Sequence, residues 1–391
     1  MIQKLIKLSE PVLGNQELRA VTKVIKSGWL TAGPVTKSFE EIVKKKIKSK
    51  NTIAVNSCTS GINAVLHALN FKKGDEVITT PMTFISTISN LFNYGLKIKF
   101  IDISRKDYSI DLDQLKKKIT KKTKCILINH YGGYPTDIRE IVNIAKKKKI
   151  HLIEDAATAF GAKINNKYIG SFKETISIFS FYANKIITSG GEGGIISLND
   201  DNLANKIRKY VSLGIDKTPW ARNIGKNHHS YDVIYPGFKY NISDLHSAIG
   251  VEQVKKLDYL IAERKKIKKN YILNLDILKK KGIISFLKEK KNLYSSEYIF
   301  TILINPELLK VGRNDLINYL KENNINTAIH YLPLNYTSFY KNKFKNLKFK
   351  NSDYVYENIL SLPFHNKLKK KEVIFVCKKI KEFLLKNTNE K

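Results

Sequence analysis

Lys185 stands in the most unusual chemical setting in the chain. It closes the run Ser180-Phe181-Tyr182-Ala183-Asn184 and is followed by Thr188-Ser189-Gly190-Gly191-Glu192-Gly193-Gly194. Glycine at that density permits a tight backbone and the close approach of a ligand. A lysine held there and desolvated loses its proton readily, and the free amine is an imine-forming nucleophile. The bland reading is abundance, because the chain is full of lysines and most lysines are solvated. Asp155 ends an apolar stretch inside Glu154-Asp155-Ala156-Ala157. A buried acid there can pair with a protonated pyridine nitrogen and keep an aromatic cofactor electron-poor; an ordinary helix cap is the alternative. Asn56-Ser57-Cys58-Thr59-Ser60-Gly61 places small hydroxyl residues where a strand gives way to a helix. They can cap that helix or, with its free N–H groups, bind a phosphate. Phe84, in Pro81-Met82-Thr83-Phe84, can stack on a flat ring or sit in the core. His330 and Tyr331, in His330-Tyr331-Leu332-Pro333-Leu334, can close a site from the far end of the chain. His228-His229 has neither carboxylate nor cysteine at ligand spacing, so no metal site is expected.

These residues need a frame, and the apolar patterning supplies one. Strands are predicted over 51–56, 76–80, 97–102, 125–129, 151–155, 177–181 and 194–198, with helices over 61–69, 112–118 and 138–148. Strands separated by helices of that length imply crossovers and a mostly parallel sheet. Ligands of such sheets bind at the carboxyl ends of strands, where the candidates above fall. After Tyr240 the pattern changes: one long helix from Asp244 to about Leu273, a strand over 298–304, a helix over 315–323, a strand over 327–330 and a closing helix over 371–385. The lysine-rich stretch 279–291 reads as a loop or insertion.

Composition narrows the class. With 391 residues, 42% of them apolar, the chain can bury a large core without staples. Its three cysteines, Cys58, Cys125 and Cys377, make neither a metal spacing nor a disulfide framework, which fits a reducing cytoplasm. No signal peptide and no run of about 20 apolar residues is present, so no membrane insertion is expected. The net charge is +34, yet only seven of the 69 basic residues are arginine. Nucleic-acid readers favour the planar arginine fork. The lysines lie in short runs on polar helix faces, so the charge reads as compositional bias and no nucleic-acid partner is expected. A basic surface still attracts an anionic substrate.

In their order and spacing these segments resemble the DegT/DnrJ/StrS family of pyridoxal-phosphate-dependent sugar aminotransferases, over nearly the whole chain. Further matches are Ser27-Gly28-Trp29-Leu30-Thr31-Ala32-Gly33-Pro34, the stretch 130–135, Gly237-Phe238-Lys239-Tyr240-Asn241-Ile242-Ser243-Asp244, and Leu360-Ser361-Leu362-Pro363. The resemblance implies an α/β, aspartate-aminotransferase-like architecture (fold type I). A large domain over 1–243 would bind pyridoxal phosphate, and a smaller α+β domain would cover 244–391. It implies that Lys185 holds the cofactor and Asp155 faces its ring nitrogen. Thr59, Ser60 and Ser180 would bind its phosphate, Phe84 would stack on its ring, and Thr158 would touch its other face or its hydroxyl. Asn241 would reach the phosphate from the neighbouring subunit of a homodimer with shared active sites. Trp29, Leu30, Thr31, His330 and Tyr331 would face substrate.

The activity implied is transfer of an amino group, with glutamate as donor, to a nucleotide-linked 4-keto-6-deoxy hexose for surface polysaccharide or glycan assembly. Pyridoxamine phosphate would be the intermediate cofactor form. Dehydratases of this family carry His at the position of Lys185, so transamination is favoured over dehydration, with amination at C3 the other outcome on this fold. A basic, non-enzymatic nucleic-acid-binding or regulatory protein is the rival of another class. Thr158 stands where Gln or His is frequent, Asn335 where a second His is frequent, and the turn after Lys185 is one glycine longer than the commonest form.

Overall fold

The computed structural model describes residues 4–224, 231–344 and 347–389. In chain order its strands are β1 (Asn51–Val55), β2 (Glu76–Thr79), β3 (Lys97–Phe100), β4 (Thr123–Asn129), β5 (His151–Asp155), β6 (Lys163–Ile164), β7 (Lys167–Tyr168), β8 (Thr175–Ser180), β9 (Gly194–Leu198), β10 (Ile284–Ser285), β11 (Leu293–Tyr294), β12 (Phe300–Ile304) and β13 (Ile359–Leu362). Its α-helices are α1 (Asn15–Ser27), α2 (Pro34–Ile47), α3 (Cys58–Ala68), α4 (Ile85–Asn93), α5 (Leu112–Lys118), α6 (Arg139–Lys148), α7 (Asp201–Val211), α8 (Pro219–Ile224), α9 (Asp244–Lys280), α10 (Arg313–Glu322), α11 (Ser338–Lys343), α12 (Lys350–Asn358) and α13 (Lys370–Lys386).

The central sheet runs β1-β9-β8-β5-β4-β2-β3. Only β9 is antiparallel, to both of its neighbours, so the sheet is mixed and mostly parallel. Its strands are apolar on both faces, as a sheet covered by helices on both sides requires. Alternation along each strand divides the side chains between two layers. Ile126, Ile128, Leu152, Phe179 and Ile195 pack with Phe39, Val43 and Ile47 of α2 and with Leu257 of α9. Cys125, Leu127, Ile153, Ile178 and Ile196 pack with Ile62 and Leu66 of α3 and with Ile88 of α4. Phe39 is fully buried, and a Cβ on Gly250 of α9 would sit 2.6 Å from its ring, so only glycine lets α9 lie this close to α2. Burying such a ring contributes about 1.5–3 kcal/mol.

The register sets the functional edge. Asn129 pairs with Asp155, and Gly194 pairs with both Val55 and Ser180. The ends of β1, β4, β5 and β8 therefore meet along one rim. A third core joins Tyr271, Leu275 and Leu278 of α9 to Ile302, Leu316, Leu360, Val376 and Ile380. Its sheet has the order β10-β12-β13. Thus α9 shares both cores: its first half lies on the large sheet and its second on this small one.

Two expectations need correction. Residues 327–330 form no strand: the segment makes one isolated bridge, Ala328 with Ser361, and Ile325 just before it bridges Ile6. Its carbonyls and N–H groups find β13 at one residue alone, because the chain then turns to bring His330 onto Ser361 Oγ, 2.8 Å from Nδ1. The stretch 279–291 is also not wholly a loop, since α9 continues through Lys280 and Ile284–Ser285 forms the edge strand β10.

Candidate active site

Asp155 leaves β5 at the rim with 3% of its surface exposed. Its Oδ1 accepts the Ala157 N–H at 3.1 Å, and its Oδ2 accepts the Thr87 hydroxyl. Behind it lies a fully buried polar layer. Glu154 accepts from Ser177 at 2.9 Å and meets His130 Nε2 at 2.7 Å. The Thr136 N–H donates to His130 Nδ1 at 3.0 Å, so the ring proton sits on Nε2 and points at Glu154. Thr158 is drawn into the same layer: its hydroxyl donates to the His130 carbonyl at 2.7 Å and accepts the Gly133 N–H at 3.1 Å.

Beside Asp155, α3 begins. Ser57 is its N-cap and accepts the Ser60 N–H at 3.0 Å, while the Ser60 hydroxyl is 2.5 Å from Asn56 Oδ1 and 2.9 Å from Ser57 Oγ. Ser60 is therefore committed to holding the helix start. Thr59 is exposed, and neither its N–H nor its hydroxyl has a partner among the described residues. Gly194 lets this helix end touch the sheet: a Cβ there would sit 2.8 Å from Cys58 N and 2.9 Å from the Phe179 carbonyl. The result is a helix N-terminus with free donors beside Ser180, the arrangement that holds a phosphate.

Lys185 follows in a hairpin-like turn. Phe181 N–H bonds the Gly193 carbonyl at 2.8 Å and Ala183 N–H bonds Gly191 at 3.1 Å. Gly190, Gly191 and Gly193 have φ of 86°, 120° and 157°, values that favour glycine. The half-buried Lys185 carries its Nζ 4.7 Å from the centre of the Tyr298 ring. Arg264, buried in α9, fixes that tyrosine by donating to the Glu297 and Tyr298 carbonyls at 3.2 and 2.9 Å. Burial, and then the Lys185 charge, push His330 down to about 4, so this imidazole is neutral at physiological pH. The buried Cys58 thiol is raised by burial and by Asp155 and lowered by Lys185, so both charges act on this one atom.

The mouth is aromatic. Phe84 is 58% exposed at the start of α4, with the Tyr331 ring edge-on to it at 6.3 Å. Tyr331 in turn meets Tyr131 at 6.0 Å, and the Tyr131 hydroxyl holds the His330 carbonyl at 2.5 Å. Asp155, Lys185, Thr59, Ser60, Ser180, Phe84, His330 and Tyr331 thus share one rim. Trp29, Leu30 and Thr31 gather elsewhere: Trp29 packs edge-on against Trp220 at 4.9 Å, and Leu30 accepts the Asp244 N–H at 3.1 Å. The Asp244 carboxylate caps α2 through Gly33, Val35 and Thr36, which pins that segment to 241–244. Asn241 follows Tyr240, whose carbonyl accepts the Asn56 N–H at 2.7 Å, and its Oδ1 is buried without a hydrogen bond. His228 and His229 lie outside the described residues.

Sequence reasoning placed Ser57 among the hydroxyls that can cap α3, and missed Thr87, Tyr298 and the His130–Glu154 pair. A short polar–apolar helix after Phe84 was the one available sign of Thr87.

The model of the DegT/DnrJ/EryC1/StrS aminotransferase family matches residues 11–381. The chain belongs to this family. An uncharacterised protein of Methanocaldococcus jannaschii is 38% identical over 96% of this chain and 97% of its own length. Spore coat polysaccharide biosynthesis protein SpsC of Bacillus subtilis is 32% identical over 98% and 99%. Among solved structures, Helicobacter pylori PseC, an aminotransferase involved in the biosynthesis of pseudoaminic acid, superposes with a TM-score of 0.90 at 26% identity, over 98% of this chain and 100% of that one. Streptococcus pneumoniae Spr1654, in its PMP form, gives 0.89 at 25% identity, over 96% and 98%. The DegT/DnrJ/EryC1/StrS chain is therefore a pyridoxal-phosphate-dependent sugar aminotransferase of the fold its sheet displays. Its donor set fits that cofactor: a lysine amine, a buried carboxyl at a strand end, a helix N-terminus with unpartnered N–H and hydroxyl groups, and an uncovered aromatic ring. No helix among the described residues is long and apolar enough to cross a membrane.

Proposed function

We propose that this enzyme carries an amino group from glutamate to C4 of a nucleoside-diphosphate-linked 4-keto-6-deoxy hexose, in surface polysaccharide assembly, as a cytoplasmic homodimer with shared sites. The observation that carries the reading is Lys185, poised over Tyr298 on the rim that Asp155 shares. The name of SpsC, for spore coat polysaccharide biosynthesis, and that of PseC, for an aminotransferase of pseudoaminic acid biosynthesis, support a role in polysaccharide or glycan assembly.

Bound pyridoxal phosphate supplies an electron sink for charge developing at the amine-bearing carbon. Thr59, with Ser180 and the α3 N–H groups, would hold its phosphate, and Asp155 its ring nitrogen. Phe84 would cover one ring face. Lys185 Nζ would be the base at the donor's Cα in one half of the reaction and the acid at the sugar carbon that gains the amine in the other. His330, neutral, offers a hydrogen-bonding edge to substrate without adding charge beside Lys185. Asn241 and Trp29–Thr31 would complete the neighbouring subunit's site.

The test is incubation with pyridoxal phosphate, glutamate and nucleoside-diphosphate 4-keto-6-deoxy hexoses of differing nucleotide. Production of 2-oxoglutarate with an axial or equatorial amine at C4, read by NMR, supports the assignment. Amination at C3, loss of a hydroxyl without amination, or no 2-oxoglutarate from any sugar overturns it.

A further inference from the structure

The first turns of α4 touch three parts of the site at once. Phe84, its N-cap, presents the uncovered ring at the mouth. Three residues on, Thr87 is fully buried and gives its hydroxyl proton to Asp155 Oδ2. Three residues further, Asn90 donates through Nδ2 to the Thr59 carbonyl at 2.9 Å. Residues at that spacing lie on one helix face.

A threonine has one hydroxyl proton. Since Thr87 spends it on Asp155, the 3.2 Å contact between Thr83 Oγ1 and Thr87 Oγ1 is donated by Thr83. The order is fixed: Thr83 to Thr87 to Asp155. With the Ala157 N–H on Oδ1, the carboxylate is gripped at both oxygens by donors from two different elements. Rotation about its Cβ–Cγ bond breaks both contacts, so the plane of the group is set before any ligand arrives. A carboxylate has about four lone-pair sites; two remain, in the direction the grip leaves open.

We infer that Thr87, backed by Thr83, is a positioning residue that aims the Asp155 carboxylate at the ring nitrogen of the cofactor. This rests on the reading of Asp155 as the ring-nitrogen partner, and the test separates the two. Apo-protein is titrated with pyridoxal phosphate and with its 1-deaza analogue, which lacks the ring nitrogen, and binding is followed by absorbance. Wild-type protein prefers pyridoxal phosphate. Thr87→Val, which keeps the shape and removes the hydroxyl, shrinks that preference by roughly three- to ten-fold, the net weight of about one ordinary hydrogen bond, while affinity for the analogue holds. Thr87→Ser retains the preference. Thr83→Val, which leaves the Thr87–Asp155 bond but removes the donor behind it, moves the ratio the same way by less, and it decides the matter if Thr87→Val does not fold. An unchanged ratio in the folded variant, whether both ligands weaken alike or neither does, overturns the inference. A wild-type protein with no preference overturns the reading of Asp155 instead.

Discussion

Lys185→Ala removes the amine on which the chemistry depends, and the structure fixes what else should change. Among the described residues Lys185 has no ion pair; its one side-chain contact of note is the Tyr298 ring, 4.7 Å from Nζ. At a half-exposed position a cation–π contact contributes about 0.5–1 kcal/mol. The variant should therefore lose no more than about 1 kcal/mol, a midpoint shift of about 1–2 °C or less in a chain of this size. Turnover should fall by far more, at least the 10²–10⁴-fold that a general base typically contributes. A third readout comes from His330, which burial and the neighbouring Lys185 charge depress to about 4. Burial is the larger cause and survives the substitution. In the apo-variant the His330 titration should therefore rise from about 4 only part of the way to the ordinary value of 6.5. The assays are borohydride reduction with peptide mapping, circular-dichroism melting, and histidine NMR titration of apo-protein. Wild-type protein should carry the reduced cofactor on Lys185 alone. Near-wild-type turnover in the variant, or an adduct on another lysine, refutes the assignment of the nucleophile. A collapse of the melting midpoint refutes the claim that this lysine serves chemistry more than packing.

Other outcomes follow from the same geometry. Lys185→Ala and Asn241→Ala proteins, each weakly active, should regain activity when mixed and re-dimerised if Asn241 serves the neighbouring site, because one of the two sites then has both residues; no recovery on mixing places Asn241 in its own chain's site. Gly194→Ala drives a Cβ to 2.8 Å from Cys58 N; overpacking of that kind costs about 1–3 kcal/mol and should shift the start of α3, so both stability and pyridoxal phosphate affinity should drop, measured by urea unfolding and equilibrium dialysis. Lys99, with Thr120 and Lys97, holds the Glu76 carboxyl down at about 2 from an ordinary 4.5. A depressed carboxyl stabilises above its unfolded value, so that contribution should be present above pH 4.5 and disappear as pH falls toward 2. With Lys97 largely exposed the effect is about 1–2 kcal/mol, and Glu76→Gln should flatten the pH dependence of urea midpoints in that window.

What could be read from the sequence was what depends on local pattern. The strands β5 and β9 fall on the residues expected, because a short apolar run that ends in Asp155 or begins at Gly194 after Gly193 has few alternatives. The long helix from Asp244 was legible too, although its last turns were not, because the lysines of 279–281 look like loop and are carried instead by Leu275 and Leu278 on the buried face. Residues 327–330 misled for the opposite reason: their apolar, β-branched character suits a strand, but pairing with the edge of β13 stops at Ala328 because the chain turns to bring His330 onto Ser361, which no local pattern announces.

The same division runs through the site. Lys185, Asp155 and the hydroxyls at 59 and 60 sit at transitions between elements, where unusual residues stand out against the pattern. Thr87 sits inside a helix, where a threonine looks like any other, and its importance comes from a partner 68 positions away. Glu154 and His130 are hidden differently. Glu154 adjoins Asp155, the residue read for its own sake, and His130 opens a stretch matched only as a motif; their pairing depends on the parallel register of β4 with β5, which aligns Ile128 with Glu154 and Asn129 with Asp155. The reactive groups were thus visible individually, whereas the residues that aim them become visible only once the strand order is known. It follows that two chains sharing the lysine and aspartate of this rim, but differing at the positions of Thr83, Thr87 and Asn90, should bind the same cofactor with differently restrained rings.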